Sequence, residues 1–382
     1  MTLQKGASYN AADPIPGGPA RGTARRWRSM LFSRKSSLFG LDIGSSAIKL
    51  VELKEGKGGY ELVNFGMAAL PPEAIVDGAL IDATTVIDTI EDLVKTHQVK
   101  ATDVATSVSG HSLIIRKINL PVMSQEELEE SIQWEAEQYI PFEISDVNLD
   151  FQILGPVPGD QTQMEVLLVA AKKELINDYV DVIREAGLSP VIVDVDAFAI
   201  ENMYEINYPV VQDEVLALID IGASVMNINF TKGGVSNFTR DVSFGGNQYN
   251  EEIQKKLNLS YQDAEVAKIG QDVEGVNQRD VEKIIAGVND ALIGEIQRSI
   301  QFFSSSAGDD RINKVVLSGG CSRARGLVQA MQDKLGLPVE IANPFNAIQC
   351  DSAKFDAEYL SSVGPAAAVA IGLALRRLGD KL

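Results

Sequence analysis

The sequence predicts an α/β chain of two related lobes, with a small α+β module inserted in the first. Two observations carry this. The run Phe39-Gly40-Leu41-Asp42-Ile43-Gly44-Ser45-Ser46 recurs in kind as Ala217-Leu218-Ile219-Asp220-Ile221-Gly222-Ala223-Ser224. Each copy reads as an apolar strand, an Asp, a Gly at a tight turn, small residues and a second strand. Between and after the copies, strand-period and helix-period segments interleave, the pattern of mixed sheets with helices packed on them.

The chain has 382 residues, 45% of them hydrophobic, enough to bury large cores in two or more domains. With 34 Lys and Arg against 53 Asp and Glu, the net charge is −19. A field this acidic argues against broad electrostatic binding to nucleic acid or anionic lipid. The two cysteines, Cys321 and Cys350, lack ligand-like spacing; free thiols in a reducing compartment and a lone disulfide both stay open. His97 and His111 are the only histidines and lack neighbours of the type a His-based metal site needs, and neither a Ser-His-Asp nor an H-E-x-x-H pattern is legible. No apolar run reaches the ~18–20 residues that span a bilayer. The longest candidate, 364–375, is rich in Ala and Gly, stops at Arg376, and reads as a buried helix.

Residues 1–36, rich in Pro, Gly, Ser and Arg, read as a disordered leader, or as upstream of a true start at Met30. A basic arm touching a membrane is the alternative. Strand-like runs follow at 38–43, 48–54 and 60–68, with Gly58-Gly59 as a turn. Residues 84–99 form an amphipathic helix with Val86, Ile87, Ile90, Leu93 and Val94 on one face. These segments, with 190–213, make up a first lobe at 37–103 plus 190–213.

Residues 104–189 read as the inserted module: strands at 104–108 and 112–120, a helix, strands at 147–154 and 164–171, and a second helix from about 173 to 186. Ser124 with Glu127 three residues on is a capping box for the first of these helices. Its apolar positions are Leu128, Ile132, Trp134, Ala136 and Tyr139, and Pro141 ends it. The second lobe is placed at 214–363, mostly helical over 249–310, with a strand at 314–317 opening into Ser318-Gly319-Gly320-Cys321-Ser322. A closing inter-lobe helix occupies 364–382.

The chemistry lies at the turns. A Gly without Cβ lets the backbone turn sharply and approach an anion, and the N–H groups of such a turn form an anion-binding nest. An adjacent Asp can hold the metal that accompanies a phosphate. One such hairpin is commonly just a turn; two, on related lobes, point to a phosphate between them. Glu265 and Lys268, three apart, share a helix face and also read as a solvated salt pair. Asp196 reads equally as the cap of the helix after it.

The order of these pieces resembles the actin-like ATPase superfamily over nearly all of residues 38–378. That resemblance implies an actin-like (ribonuclease H-like) two-lobed ATPase fold with an SHS2-like insertion. It makes Asp42, Gly44, Ser45, Ser46 and Lys49 the first phosphate loop, and Asp220, Gly222, Ala223 and Ser224 the second. Gly319, Gly320 and Ser322 fall in the adenosine motif. Gly245 and Gly246 lead to the nucleoside-facing Glu265 and Lys268. Asp196 and Asp220 take catalytic positions, and Asp42 and Asp220 hold Mg²⁺ through water. The implied cofactors are ATP and Mg²⁺, with slow hydrolysis at most.

The inserted module is similar to that of FtsA and of the PilM family of type IV pilus assembly proteins. The opening from Met30 through Leu53, the run Gln133-Trp134-Glu135-Ala136-Glu137-Gln138-Tyr139-Ile140-Pro141-Phe142, and a C-terminus without an amphipathic tail resemble PilM. Membership implies a cytoplasmic protein, peripheral to the inner membrane and without its own transmembrane segment. It would grip the N-terminal cytoplasmic peptide of PilN and connect other pilus inner-membrane and motor proteins, in support of twitching motility. A homo-oligomer or ring stays open. The groove is placed on Ile114, Ile118, Leu128, Ile132, Tyr139 and Phe151. The alternatives are an FtsA-like filament former and, on the same fold, a small-molecule kinase.

Overall fold

The computed structural model describes residues 38–76, 78–306 and 310–377; the leader assigned to 1–36 lies outside them. The chain opens with an antiparallel meander, β1 (Leu38–Ile43), β2 (Ala47–Gly56) and β3 (Gly59–Ala69). A small hairpin, β4 (Ile75–Val76) and β5 (Ala79–Leu80), leads to α1 (Ala83–Thr96). Asp82 caps α1 by accepting from the Thr85 amide at 3.1 Å, and the helix buries Val86, Ile90 and Leu93. β6 (Asp103–Val108) then lies parallel to β1 on the side away from β2.

Five elements follow apart from this sheet: β7 (Leu113–Pro121), α2 (Gln125–Ala136), a 3-10 turn at Ile144–Asp146, β8 (Val147–Val157) and β9 (Asp160–Lys172). The strands form an antiparallel sheet of order β7-β9-β8. The expected capping box is present: Ser124 accepts from the Glu127 amide at 3.2 Å, and Glu127 accepts from the Ser124 amide at 2.7 Å. α3 (Lys173–Glu185), β10 (Ser189–Val195) and α4 (Asp196–Asn207) carry the chain back. β10 runs parallel to β6.

The second lobe repeats the plan. β11 (Val215–Ile221), β12 (Met226–Lys232) and β13 (Val235–Val242) form the meander. Then come α5 (Gly246–Leu257), α6 (Tyr261–Lys268) and the long α7 (Gln278–Ser306). β14 (Lys314–Ser318) runs parallel to β11, as β6 does to β1. α8 (Leu327–Leu335) and β15 (Val339–Ile341) extend that sheet to the order β13-β12-β11-β14-β15. The chain then crosses back: β16 (Ile348–Gln349) pairs with β3, completing the first sheet as β10-β6-β1-β2-β3-β16. It ends in α9 (Ala357–Val363), a 3-10 turn at Gly364–Ala367 and α10 (Ala368–Ala374).

Three placements differ from the sequence reading. β6, read as part of the inserted module, is a central strand of the first sheet. Thr106 is fully buried and donates to the Leu41 carbonyl at 2.9 Å. The second helix of the module, α3, packs Ile176, Tyr179, Val180 and Ile183 into the same core as Val86 and Ile90 of α1. Local periodicity reports strand or helix; it does not say which sheet a segment joins. The part with its own sheet is therefore β7 through β9. The 214–363 span likewise gives β16 to the first sheet.

α4 and α10 cross between the lobes and pack on each other. Gly372 makes the crossing close, since a Cβ there would collide with the Ala199 carbonyl. The closing segment read as one helix over 364–382 is interrupted by the 3-10 turn at Pro365, and its last residues lie outside the described range. One helical stretch, Ala357–Ala374, has the length and composition to cross a membrane, yet 61% of it is buried inside the fold. Both cysteines are free thiols.

Candidate functional site

Parallel strands end where connections leave a gap, and ligands bind outside their carboxyl ends. Here five such ends converge from the two lobes: β1 ends just before Gly44, β6 before Ser109, β10 before Asp196, β11 before Gly222 and β14 before Gly319. The gap between them is a cavity of about 520 Å³, within the ~300–1,000 Å³ range of small-molecule sites.

The two D-x-G turns are built alike. The Gly44 amide donates to the Ala47 carbonyl at 3.1 Å, and the Gly222 amide to the Val225 carbonyl at 3.0 Å. A Cβ at Gly44 would lie 2.8 Å from the Lys49 ammonium, and one at Gly222 would lie 2.9 Å from the Val225 carbonyl. Backbone thus excludes a side chain at Gly222, whereas at Gly44 the Lys49 head would have to shift and the Ala47 carbonyl, 3.2 Å from such a Cβ, leaves little room. Asp42, Gly44, Ser45, Ser46 and Lys49 line one wall of the cavity; Asp220, Gly222, Ala223 and Ser224 line the other.

Asp196, Gly246, Glu265, Lys268 and Gly320 also face the cavity. Gly245, Gly319 and Ser322 stand behind its wall. Gly245 is pressed against the carbonyls of Gly222 and Ala223. Gly319 holds a φ of +86° and donates its amide to the Pro365 carbonyl at 2.8 Å. Ser322 is fully buried and donates to the Gly319 carbonyl at 2.8 Å. On α6, Glu265 accepts from Lys268 at 2.6 Å and from Asn250 at 2.7 Å, which fixes its carboxylate at the cavity edge.

Several lining residues carried little sequence signal. Ser107 donates to Asp196 at 2.6 Å; the hydroxyl run Thr106-Ser107-Val108-Ser109 at a strand end was the available clue. Asn247 donates to Ser224 at 3.2 Å. Asn227, Tyr261 and Cys321 complete the wall. Asn227 is reached only through strand register, opposite Asp220, whereas Cys321 lies within the run 318–322. Burial raises the Cys321 thiol to about 11, so it is an inert wall group.

The charges are unbalanced. Lys49 pairs with Asp42 at 3.1 Å. Burial lowers the Lys49 pKa, but Asp42, with Asp220 and Asp196 behind it, outweighs this and holds the group above its ordinary value. Burial and then Asp42 push Asp196 up to about 7, against the hydrogen bonds from Ser107 and Ser109. Burial, reinforced by Asp42 and opposed by the 2.7 Å bond from Ser318, pushes Asp220 up to about 6. Three carboxylates thus share one ammonium in a desolvated space, which favours an added cation.

Among the described residues no group of three His, Cys, Asp or Glu could hold a metal alone. Mg²⁺ is commonly held by one or two carboxylates, with water and substrate phosphate completing its shell. Asp42 and Asp220, beside two amide-lined turns, fit that donor set.

The proposed partner residues fare differently. Ile118, Leu128 and Ile132 are at most 6% exposed and fill the module's core, so their assignment to a groove surface is corrected. They form the inward stripe of β7 and α2, and an inward stripe is what an apolar period marks first. Ile114, Tyr139 and Phe151 are half-buried against the same core. Trp134, read as an apolar helix position, points outward and is 73% exposed.

The fold and the paired turns define a chain of the two-lobed actin-like ATPase fold. A family model described as type IV pilus assembly protein PilM matches residues 40–378. A solved chain of a PilM-PilN type IV pilus biogenesis complex is similar at 32% identity and a TM-score of 0.79, over 90% of this chain and 99% of that one. The ethanolamine utilization protein EutJ from Carboxydothermus hydrogenoformans shares the fold at 15% identity and a TM-score of 0.54, over 88% of each chain. This chain belongs to the PilM family of type IV pilus assembly proteins.

Proposed function

We propose that this chain is an ATP-binding scaffold of the type IV pilus machine that holds the cytoplasmic N-terminal segment of PilN. The observation that carries the pilus role is the 32% identity to the PilM-PilN complex chain across nearly its whole length. In this reading the protein sits in the cytoplasm, peripheral to the inner membrane, and ties the inner-membrane complex to the motor side.

The nucleotide reading rests on the cavity. The two turns would hold phosphate oxygens between them, Lys49 would supply a positive charge, and Asp42 and Asp220 would hold Mg²⁺ through water. Mg²⁺ supplies charge neutralisation of the phosphates. Glu265, fixed by Asn250 and Lys268, would accept from ribose hydroxyls, and Gly320 would let the backbone pass beside the nucleoside. Asp196, raised to about 7 and held by Ser107, is placed to orient water. A carboxyl that titrates near neutrality is what a water-activating base would need.

The partner peptide is placed where the module meets the first lobe. A second cavity of about 370 Å³ lies there between the 3-10 turn and the start of α3, lined by Phe142, Asp146, Lys172 and Glu174 among others. Nucleotide that closes the lobes more tightly in one state than another sets this junction.

A titration of the full chain with a synthetic PilN N-terminal peptide, with and without Mg²⁺ and ATP, tests this. Saturable binding that tightens with nucleotide supports the proposal. An absence of peptide binding under both conditions contradicts it.

A further inference from the structure

The inserted module touches the second lobe as well as the first, through the short connection between β6 and β7. Ser107, at the end of β6, bonds Asp196 in the nucleotide cavity. Three residues on, the Gly110 amide donates to Asp241 Oδ2 of β13 at 2.5 Å. Gly110 holds a φ of +97°, a conformation that fixes glycine at this bend. The His111 ring bonds the Ser243 hydroxyl at 2.7 Å. The other oxygen of Asp241 accepts from Asn227 at 2.8 Å, and Asn227 lines the cavity beside Asp220.

The connection is thus tied to a cavity-lining group in each lobe, directly to Asp196 in the first and through Asp241 to Asn227 in the second. β7 leaves this connection directly and packs along β13. Any change of angle between the lobes must stretch the Asp241–Gly110 bond or carry β7 with it. A packed module with short connections moves as a body rather than deforming.

We propose that Asp241 is a positioning residue through which occupancy of the cavity sets the orientation of the inserted module. Asn227 transmits the state of the cavity to Asp241, Asp241 holds the Gly110 amide, and β7 turns the module. The proposal deepens the nucleotide reading above and rests on it.

Hydrogen exchange of the full chain, with and without a non-hydrolysable ATP analogue and Mg²⁺, tests it. In the wild type, nucleotide is expected to slow exchange across residues 109–121 by about fivefold or more. Asp241→Ala is expected still to bind the analogue saturably, measured separately, and to lose the slowing at saturating analogue. His111→Ala, an exposed change, is expected to weaken the slowing and guards against misfolding of the first variant. Slowing of wild-type size in both variants, or none in a wild type that binds the analogue, overturns the proposal. A wild type that binds no analogue overturns the nucleotide reading instead, and the coupling with it.

Discussion

The Ser224 hydroxyl donates to the Ser45 hydroxyl at 2.9 Å, so the two phosphate-loop candidates, one from each lobe, meet directly across the cavity. Residues far apart in sequence meet because each lobe places its turn at the carboxyl end of the matching interior strand, β1 or β11. A phosphate seated between the turns has to replace this bond with its own. Ser224→Ala should weaken nucleotide binding about tenfold, ~1.4 kcal/mol, with little change in unfolding free energy. Equal affinities of variant and wild type in an equilibrium titration would remove Ser224 from the site.

Lys49 is the counter-charge of the carboxylate cluster. Lys49→Ala leaves Asp42 buried without its partner, a change that typically costs ~3–5 kcal/mol. Urea unfolding should show a loss in that range, with most of nucleotide affinity lost as well. A fully stable variant would mean that Asp42 is solvated after all.

The pH dependence of stability follows from Asp196. Its carboxyl titrates near ~3.9 when unfolded and is raised by burial and Asp42 to about 7 in the fold. The folded state binds that proton more tightly. The contribution is present below the unfolded value and is lost as pH rises through about 7. At ~1.4 kcal/mol per pH unit, ~4 kcal/mol is an upper bound. Asp196→Asn should remove this fall, so the variant gains on the wild type between pH 4 and 7 in thermal unfolding. A difference that is flat with pH would show that Asp196 ionises normally.

Leu128 and Trp134 share α2 and should respond oppositely. Leu128 is fully buried, so Leu128→Ala should cost ~2–5 kcal/mol. Trp134 is mostly exposed, so Trp134→Ala should stay within about 0.5 kcal/mol. Chemical denaturation of the two variants checks this. A large loss for Trp134→Ala would place its ring in the core.

The sequence made the site more legible than the domain boundaries. Asp42 with Gly44 and Asp220 with Gly222 are local signals, since the turn demands glycine and the cavity demands the carboxylate within a few residues. β6 and α3 were assigned to the wrong unit because sheet membership is decided by long-range pairing, here Leu41 with Thr106. β15 and β16 span three and two residues, too short for any period to register. Trp134 was misread because an aromatic in a helix adds to an apolar count whichever way it points. Ser107 and Asn227 reach the cavity only through tertiary register, which no spacing encodes.

The central claim is that one nucleotide and its metal sit between Asp42 and Asp220. The most direct measurement is a calorimetric titration of the full chain with ATP, in Mg²⁺ and again in EDTA, alongside Gly320→Asp. A Cβ at Gly320 meets open space, so the new carboxylate would enter the cavity without disturbing the fold. Saturable binding in Mg²⁺, lost in EDTA and in a folded Gly320→Asp variant, is the outcome this geometry requires. No binding to the wild type, or binding that ignores both the metal and the substitution, would contradict it.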